Sequence, residues 1–199
     1  MFTTTFEGES LLHRELWRVV EQQCTFSAEQ NSGTFYTNVA AMVFAFHTVE
    51  AYLNFVGEKL DPSTWRIERE YFRNEPYRGF AGKLRKVMEM VGLSLPESNR
   101  PLRTIYELKN LRDLIAHAKP EKLIGEVSQT DDLALPLVTA TLQQLVTESA
   151  RLLAVTDVEQ FLNAIHVRAK PKIADVWFGD EALRGTAYHM LHSTKLQKE

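Results

Sequence analysis

The chain has 199 residues, of which 44% are hydrophobic and 25% are charged, as in an ordinary globular protein. Its length favours one domain, which can bury a hydrophobic core without needing stabilisation by a bound metal or by disulfide bonds. A formal net charge of −3 gives no overall basic footprint for sequence-independent binding to long DNA. The single cysteine, Cys24, excludes an intrachain disulfide and suits a reducing compartment.

Helical periodicity dominates the chain from its first predicted element onwards. The first helix is predicted in residues 9–24, where Leu12, Leu16, Val19 and Val20 share one stripe opposite the charged side chains. Further helices are predicted over 35–60, 65–75, 79–91, 102–118 and 136–169. No stretch shows strict strand alternation over more than a few residues, so the sequence predicts an all-α fold.

The second predicted helix carries the longest apolar-rich run, residues 39–56, but this run contains His47, Glu50 and Asn54 and is a poor membrane span. These three polar residues are three and four positions apart and therefore share one face. A buried carboxylate is costly unless it is paired, so Glu50 needs a cation or several hydrogen-bond donors, and Arg112 or another arginine of the packed helices is the expected partner. In the alternative interpretation, Glu50 and Asn54 only fix the packing register of the helix.

The later stretch LKNLRDLIAHAKP, residues 108–120, is predicted to be a helix that ends before Pro120. On a helical wheel one arc is apolar and predicts the core face, formed by Ile105, Leu108, Leu111, Leu114, Ile115 and Ala118. A second row carries groups that hydrogen-bond at a defined point, namely Tyr106, Asn110, Asp113 and His117. An ordinary solvated helix face is the alternative explanation of this row.

Within this row, Asp113 and His117 are one turn apart, so the carboxylate can hold one tautomer of the imidazole. Arg112 lies about 140° around the helix from His117. One helix therefore does not easily bring this guanidinium and this imidazole together, and a bend, the reach of the arginine or a second copy of the helix must complete any site.

Arg112-Asp113 followed by His117 resembles the R-x4-6-H signature of the HEPN superfamily (higher eukaryotes and prokaryotes nucleotide-binding domain), in which a polar residue commonly follows the arginine. The upstream VEAYLN segment and the proline that follows the motif agree with this resemblance. It implies an up-down helical bundle, usually a homodimer in which two copies of the motif meet. We therefore assign residues 1–170 to a HEPN-like helical domain and residues 171–199 to a partly helical C-terminal extension.

Many HEPN proteins are metal-independent endoribonucleases found among toxins, phage-defence factors and RNA-processing enzymes. The resemblance implies that Arg112 binds the phosphodiester of an RNA substrate and that His117 transfers protons, while Asp113 orients His117. Supporting or binding residues are expected at Glu50, Asn54, Tyr106 and Asn110. The expected partners are RNA, a second copy of the chain, and a cognate antitoxin or partner protein. We expect neither a cofactor, nor a metal site, nor a membrane association, and we expect a cytoplasmic location.

A second interpretation remains open at this stage, because some HEPN proteins bind nucleotides or dock partner proteins without cutting RNA. In such a module Arg112 and Asp113 form structural ion pairs. Two further histidines, His13 and His166, are isolated on amphipathic helices, and we expect them at the surface or at its boundary. The sequence contains no Gly-rich phosphate loop, Ser-His-Asp set or zinc motif.

Overall fold

The computed structural model describes residues 2–30, 32–122, 139–175 and 178–197. In these residues the α-helices are α1 (Leu12–Glu29), α2 (Thr34–Leu60), α3 (Pro62–Arg66), α4 (Glu68–Tyr71), α5 (Gly79–Val91), α6 (Leu102–Ala116), α7 (Thr141–Leu145) and α8 (Glu148–Ala169). Two strands, β1 (Phe2–Ser10) and β2 (Tyr188–Gln197), pair antiparallel. The predicted all-α helical bundle is confirmed, with one two-stranded ribbon added to it.

The long helix α2 runs through the centre of the bundle, and α1, α5, α6 and α8 all pack against it. Its fully buried side chains include Ala45, Phe46, Val49, Leu53 and Val56. By length and composition α2 is apolar enough to cross a membrane, but half of its most apolar stretch is buried inside the protein. Burial on several sides thus explains why this helix is apolar almost all the way round.

The end of α2 follows from local chemistry. Asp61 caps the next helix, because its carboxylate accepts a hydrogen bond from the Thr64 backbone N–H at 3.2 Å, and Pro62 occupies the first helical position. A Cβ at Gly57 would come within 1.9 Å of the Trp65 ring, so the glycine lets α3 pack directly on α2. These contacts fix the point at which the chain leaves the central helix.

The beginning of α6 is tied to α8 by a buried carboxylate. Arg100 donates to both oxygens of Asp157, at 2.7 and 2.8 Å, and the Thr104 hydroxyl donates to the same group. Burial alone would raise the pKa of Asp157, but the hydrogen bonds from Arg100 and Thr104 outweigh this effect. The pKa of Asp157 therefore lies below its usual value. This anchor sets the position of α6, which carries the HEPN-like motif.

The prediction of one helix over residues 136–169 is wrong in its first part. Pro136 lies outside the described residues, and the short helix α7 is separated from α8 by Val146 and Thr147. Thr147 starts a new helix, because its hydroxyl accepts a hydrogen bond from the Ala150 backbone N–H at 3.1 Å. The predicted helix over 102–118 is correct in position but ends at Ala116.

The C-terminal extension also differs from its prediction. After a 3-10 turn at Lys170–Lys172, its described residues contain no α-helix and lead into β2, which the sequence did not predict. Before that strand, Phe178, Ala182 and Leu183 are buried in the core of the bundle. The extension therefore packs on the helical domain and returns the chain to β1, a pairing between opposite ends of the chain that no local sequence pattern encodes.

Candidate functional site

The guanidinium of Arg112 projects from α6 towards α2, where it meets Glu50. Its NH2 lies 3.2 Å from Glu50 Oε1, and its NH1 lies 2.8 Å from Asp113 Oδ1. Its central carbon stands 5.1 Å from the centre of the Phe46 ring, in cation–π range. The side chain remains 29% exposed. The predicted pairing of Glu50 with Arg112 is confirmed, and the arginine is held in one place while part of it reaches solvent.

Asp113 is engaged differently from its prediction. One carboxylate oxygen contacts Arg112, and the other accepts a hydrogen bond from Lys109 Nζ at 2.7 Å. The bond from Lys109 is the largest cause that lowers the pKa of Asp113, and the charges of Arg112 and His117 contribute in the same direction. Among the described contacts no hydrogen bond joins Asp113 to the imidazole, so the expected orientation of His117 by this carboxylate is not seen in the single chain.

His117 terminates α6, and its imidazole is exposed. Its backbone N–H donates to the Asp113 carbonyl at 3.0 Å, which places it one turn beyond Asp113. The contacts of the described residues include none between His117 and an arginine, in agreement with the angular separation calculated from the sequence. The core face of α6 also ends early: Leu108 and Leu111 are buried, whereas Leu114, predicted to lie in the core, is 38% exposed.

The remaining predicted residues lie apart from this group. Asn54 accepts a hydrogen bond from Lys83 Nζ at 2.7 Å, one turn along α2 from Glu50. Tyr106 donates to Glu97 Oε1 at 3.2 Å, and burial raises its pKa to about 12. Asn110 is exposed. The described contacts thus connect neither Tyr106 nor Asn110 with Arg112, and the proposed row on α6 does not converge on one point.

Two residues joined to the group were absent from the predicted site. His47 Nδ1 lies 3.4 Å from Glu50 Oε2, and Lys109 contacts Asp113. Their signal in the sequence is the spacing of three and four residues from a partner of opposite charge on the same helix. We call His47, Glu50, Lys109, Arg112, Asp113 and His117 the outer cluster.

A second set of polar side chains lies on the other side of α2 and is buried. His13, Arg14 and His166 are each 2–4% exposed and Tyr52 is fully buried; we call these four residues the inner cluster. The prediction that His13 and His166 lie at the surface or its boundary is wrong. The faces of α1 and α8 that carry these histidines pack towards the C-terminal extension. The extension covers residues that the pattern of each helix, considered alone, assigns to a solvent-exposed face.

The hydrogen bonds of the inner cluster define the state of His166. Its Nε2 lies 3.3 Å from the Gly179 carbonyl oxygen, which can only accept, so Nε2 carries the proton. Nδ1 then accepts from the Tyr52 hydroxyl at 2.8 Å, and Phe178 stacks on the ring at 4.4 Å. Burial lowers the pKa of His166, which keeps this neutral tautomer.

Arg14 joins the inner cluster to the C-terminal extension. It donates to the carbonyl oxygens of Thr186, Phe178 and Glu181 at 2.7, 3.3 and 3.1 Å. Beside it, burial lowers the pKa of His13 to about 3, and the Arg14 charge adds to this effect. The inner cluster therefore fastens the extension, whereas the outer cluster is the part of the molecule where an accessible imidazole and an accessible guanidinium occur together.

Comparison of the chain with protein-family models, with curated proteins and with solved structures found no match. The HEPN resemblance is therefore carried by the Arg112-Asp113 and His117 motif and its helical surroundings.

Proposed function

We propose that this chain is a HEPN-type, metal-independent endoribonuclease that acts as a homodimer in the cytoplasm. The observation that supports it best is the common neighbourhood of Asp113: Arg112 contacts this carboxylate at 2.8 Å, and His117 is close enough to lower its pKa. Both side chains also reach solvent. A phosphodiester entering there meets a fixed positive charge and an imidazole.

The proposed chemistry needs no group beyond these side chains and the RNA itself. RNA carries a 2′-hydroxyl next to each phosphate. When this hydroxyl loses its proton, its oxygen attacks phosphorus, and the 5′-oxygen leaves with a proton, which yields a 2′,3′-cyclic phosphate. His117 supplies proton transfer, an effect on the order of 10² to 10⁴ in rate. Arg112 binds the phosphate through two N–H groups and stabilises its transition-state charge.

The dimer is part of the proposal because Arg112 and His117 project in directions about 140° apart on one helix. A twofold axis near the end of α6 would place the arginine of one copy opposite the histidine of the other. Subunit mixing tests this arrangement. Dimers formed from equal amounts of Arg112→Ala and His117→Ala chains should regain about a quarter of the wild-type rate, because half are heterodimers with one intact site of two. Mixtures as inactive as the separate variants would contradict a shared site.

One observation favours the second candidate, a non-catalytic module that binds a nucleotide or a protein partner. Arg112 already contacts two carboxylates, Glu50 and Asp113, and such a network is also the pattern of a structural ion pair. A phosphate must then compete with one of the two carboxylates for the guanidinium. A cognate antitoxin would be the protein partner of the catalytic form, and a docked partner protein that of the module.

The test is incubation of the purified protein with mixed RNA in EDTA. The nuclease proposal expects cleavage that leaves 2′,3′-cyclic phosphate ends and falls on the order of 10³-fold in Arg112→Ala and in His117→Ala. Arg18→Ala, a change on the exposed face of α1, serves as the control and should cleave like the wild type. Absence of cleavage by the wild-type protein over the whole range of RNAs and pH would favour the module. Growth arrest on expression, relieved by the same two changes, is a second readout in the cytoplasm.

A further inference from the structure

His47 shares the carboxylate of Glu50 with Arg112. The two oxygens of Glu50 divide between these partners: Oε2 lies 3.4 Å from His47 Nδ1 and Oε1 lies 3.2 Å from Arg112 NH2. The contact therefore links an imidazole on α2 to the guanidinium of the motif on α6 within one chain. No other histidine in the described part of the chain has an ion-pair contact with a partner of Arg112.

The surroundings of His47 leave its other ring nitrogen available. Its side chain is 41% exposed, and the described contacts give Nε2 no hydrogen-bond partner. The negative charge of Glu50 near Nδ1 favours the tautomer with its proton on that nitrogen, which leaves the lone pair on Nε2. The same negative charge stabilises the imidazolium formed when Nε2 takes up a proton.

We propose that His47 is the second proton-transfer residue of the reaction, acting as the general base while His117 acts as the acid. This inference rests on the proposed ribonuclease function. Nε2 of His47 accepts the 2′-hydroxyl proton as the bond from the 2′-oxygen to phosphorus forms. The bond from phosphorus to the 5′-oxygen breaks, and His117 donates its proton to that oxygen. Exchange with water then restores both imidazoles.

The positions of the two histidines assign the roles. Glu50 holds His47 in the tautomer that accepts a proton, as required of the base. His117 lies at the C-terminal end of α6, where the helix dipole stabilises positive charge, and Asp113 adds a negative charge nearby. A proton donor belongs in such a place. Arg112 contacts Glu50, so it lies on the same side of the proposed site as His47 of its own chain, opposite His117 of the second copy.

The competing explanation is that His47 and Glu50 form an exposed pair at a spacing of three residues, of little consequence. A pH–rate profile separates the two. With end-labelled single-stranded RNA, kcat/KM of the wild type should follow a bell, whose acidic limb reports the base and whose basic limb reports the acid. His47→Gln should lower kcat/KM by roughly 10²-fold and abolish the acidic limb, whereas the basic limb remains.

Glu50→Gln adds a test of positioning rather than of contact with the substrate. It should retain both limbs of the bell but lower kcat/KM, because the neutral amide no longer fixes the tautomer of His47 that has its lone pair on Nε2. The matched control is Glu15→Gln, which breaks the exposed Glu15–Arg18 pair at the same spacing and should leave the profile unchanged.

The possible results separate the two proposals. If the wild type cleaves RNA and His47→Gln keeps both limbs of the bell with kcat/KM within about twofold of the wild type, the role of His47 is overturned. The ribonuclease function is then unaffected. A wild-type protein that cleaves no RNA overturns both. Thermal unfolding of each variant shows that the protein is folded, and the exposure of His47 leads us to expect midpoints close to that of the wild type.

Discussion

The inner and outer clusters lie on opposite sides of α2 and both contain arginine and histidine. The surroundings of their arginines differ. Arg14 is 4% exposed and donates to three backbone carbonyl oxygens of the C-terminal extension. Arg112 is 29% exposed and contacts two carboxylates. The guanidinium of Arg14 is therefore inaccessible to a ligand. The guanidinium of Arg112 reaches solvent, and an incoming phosphate can replace one of its carboxylate partners. Solvent access, rather than residue type, separates a structural arginine from a candidate binding residue.

The histidines of the two clusters differ in the same way. Burial lowers the pKa of His13 and of His166, so both are neutral at physiological pH and neither exchanges protons with a substrate. The His47 side chain is 41% exposed and His117 lies at the surface, and each is near a carboxylate. Among the histidines whose side chains the structure describes, those of the outer cluster are therefore the candidates for the proposed proton transfer, while the inner cluster contributes to stability.

The largest effect that distinguishes the clusters is expected from Arg14→Ala. Three carbonyl oxygens of the C-terminal extension lose a buried charged donor from α1. We expect the free energy of unfolding, measured with urea, to fall by on the order of 4 kcal/mol. Arg18→Ala is the matched control one turn along: its side chain is 52% exposed, so its loss should be below about 1 kcal/mol. Equal losses would mean that burial does not separate the two arginines.

The next effect concerns the outer cluster and is one of activity. Arg112→Lys keeps the positive charge but removes the planar pair of donors that matches a phosphate. We expect kcat/KM for RNA to fall by roughly 10²-fold while the free energy of unfolding changes by less than about 1 kcal/mol. Lys109→Arg, which keeps a cation beside Asp113, is the control. A variant that cleaves normally with lysine at 112 would show that the site needs charge alone.

The outer cluster was largely predictable because its contacts follow from helix spacing. Asp113 and His117 fall one turn apart on any helix, and a polar residue in the apolar run of α2 must find a partner, which pointed from Glu50 to Arg112. Lys109 and His47 obey the same spacing rules and were available in the sequence. Tyr106 was misplaced, because its reach to Glu97 depends on the loop before α6, whose path no periodicity describes.

The inner cluster was not predictable because its cover comes from the far end of the chain. His13 and His166 occupy faces of α1 and α8 that look polar until residues 178–187 pack over them. The strands β1 and β2 were missed for a similar reason: each lacks strict alternation, and each gains its partner only when the termini meet. Contacts between segments far apart in the chain thus limit what the sequence alone predicts, even though long helices such as α2 and α5 were predicted close to their observed bounds.

A third effect is a pH dependence of stability that belongs to the inner cluster. His13 has a pKa of about 3 in the folded protein and an ordinary value near 6.5 when unfolded. The unfolded state therefore binds more protons between these values. The free energy of unfolding is therefore highest above pH 6.5 and decreases as the pH falls towards 3. Each buried histidine with a lowered pKa contributes up to about 1.4 kcal/mol per pH unit to this decrease.

Urea unfolding between about pH 6.5 and 5.5 measures this slope above the range in which the carboxyl groups of the unfolded chain titrate. His13→Leu should make the slope shallower, because one of the two buried histidines no longer titrates. Tyr77→Phe, which removes an exposed hydroxyl that does not titrate in this range, should leave it unchanged. A slope that stays the same in His13→Leu would contradict the burial of a neutral His13.

The smallest effect tests a single hydrogen bond inside the inner cluster. Tyr52→Phe removes the hydroxyl that donates to His166 Nδ1 at 2.8 Å and leaves that nitrogen buried without a donor, so we expect a loss of about 1 kcal/mol in the free energy of unfolding. Tyr77→Phe removes an exposed hydroxyl that donates to Glu89, where water replaces the lost partner, and should change stability by less than about 0.5 kcal/mol. Because both changes delete one hydroxyl from one ring, their difference isolates the effect of burial. If the two losses are equal, the Tyr52–His166 bond contributes no more than a surface contact, and packing of Phe178 against the His166 ring must hold the extension instead.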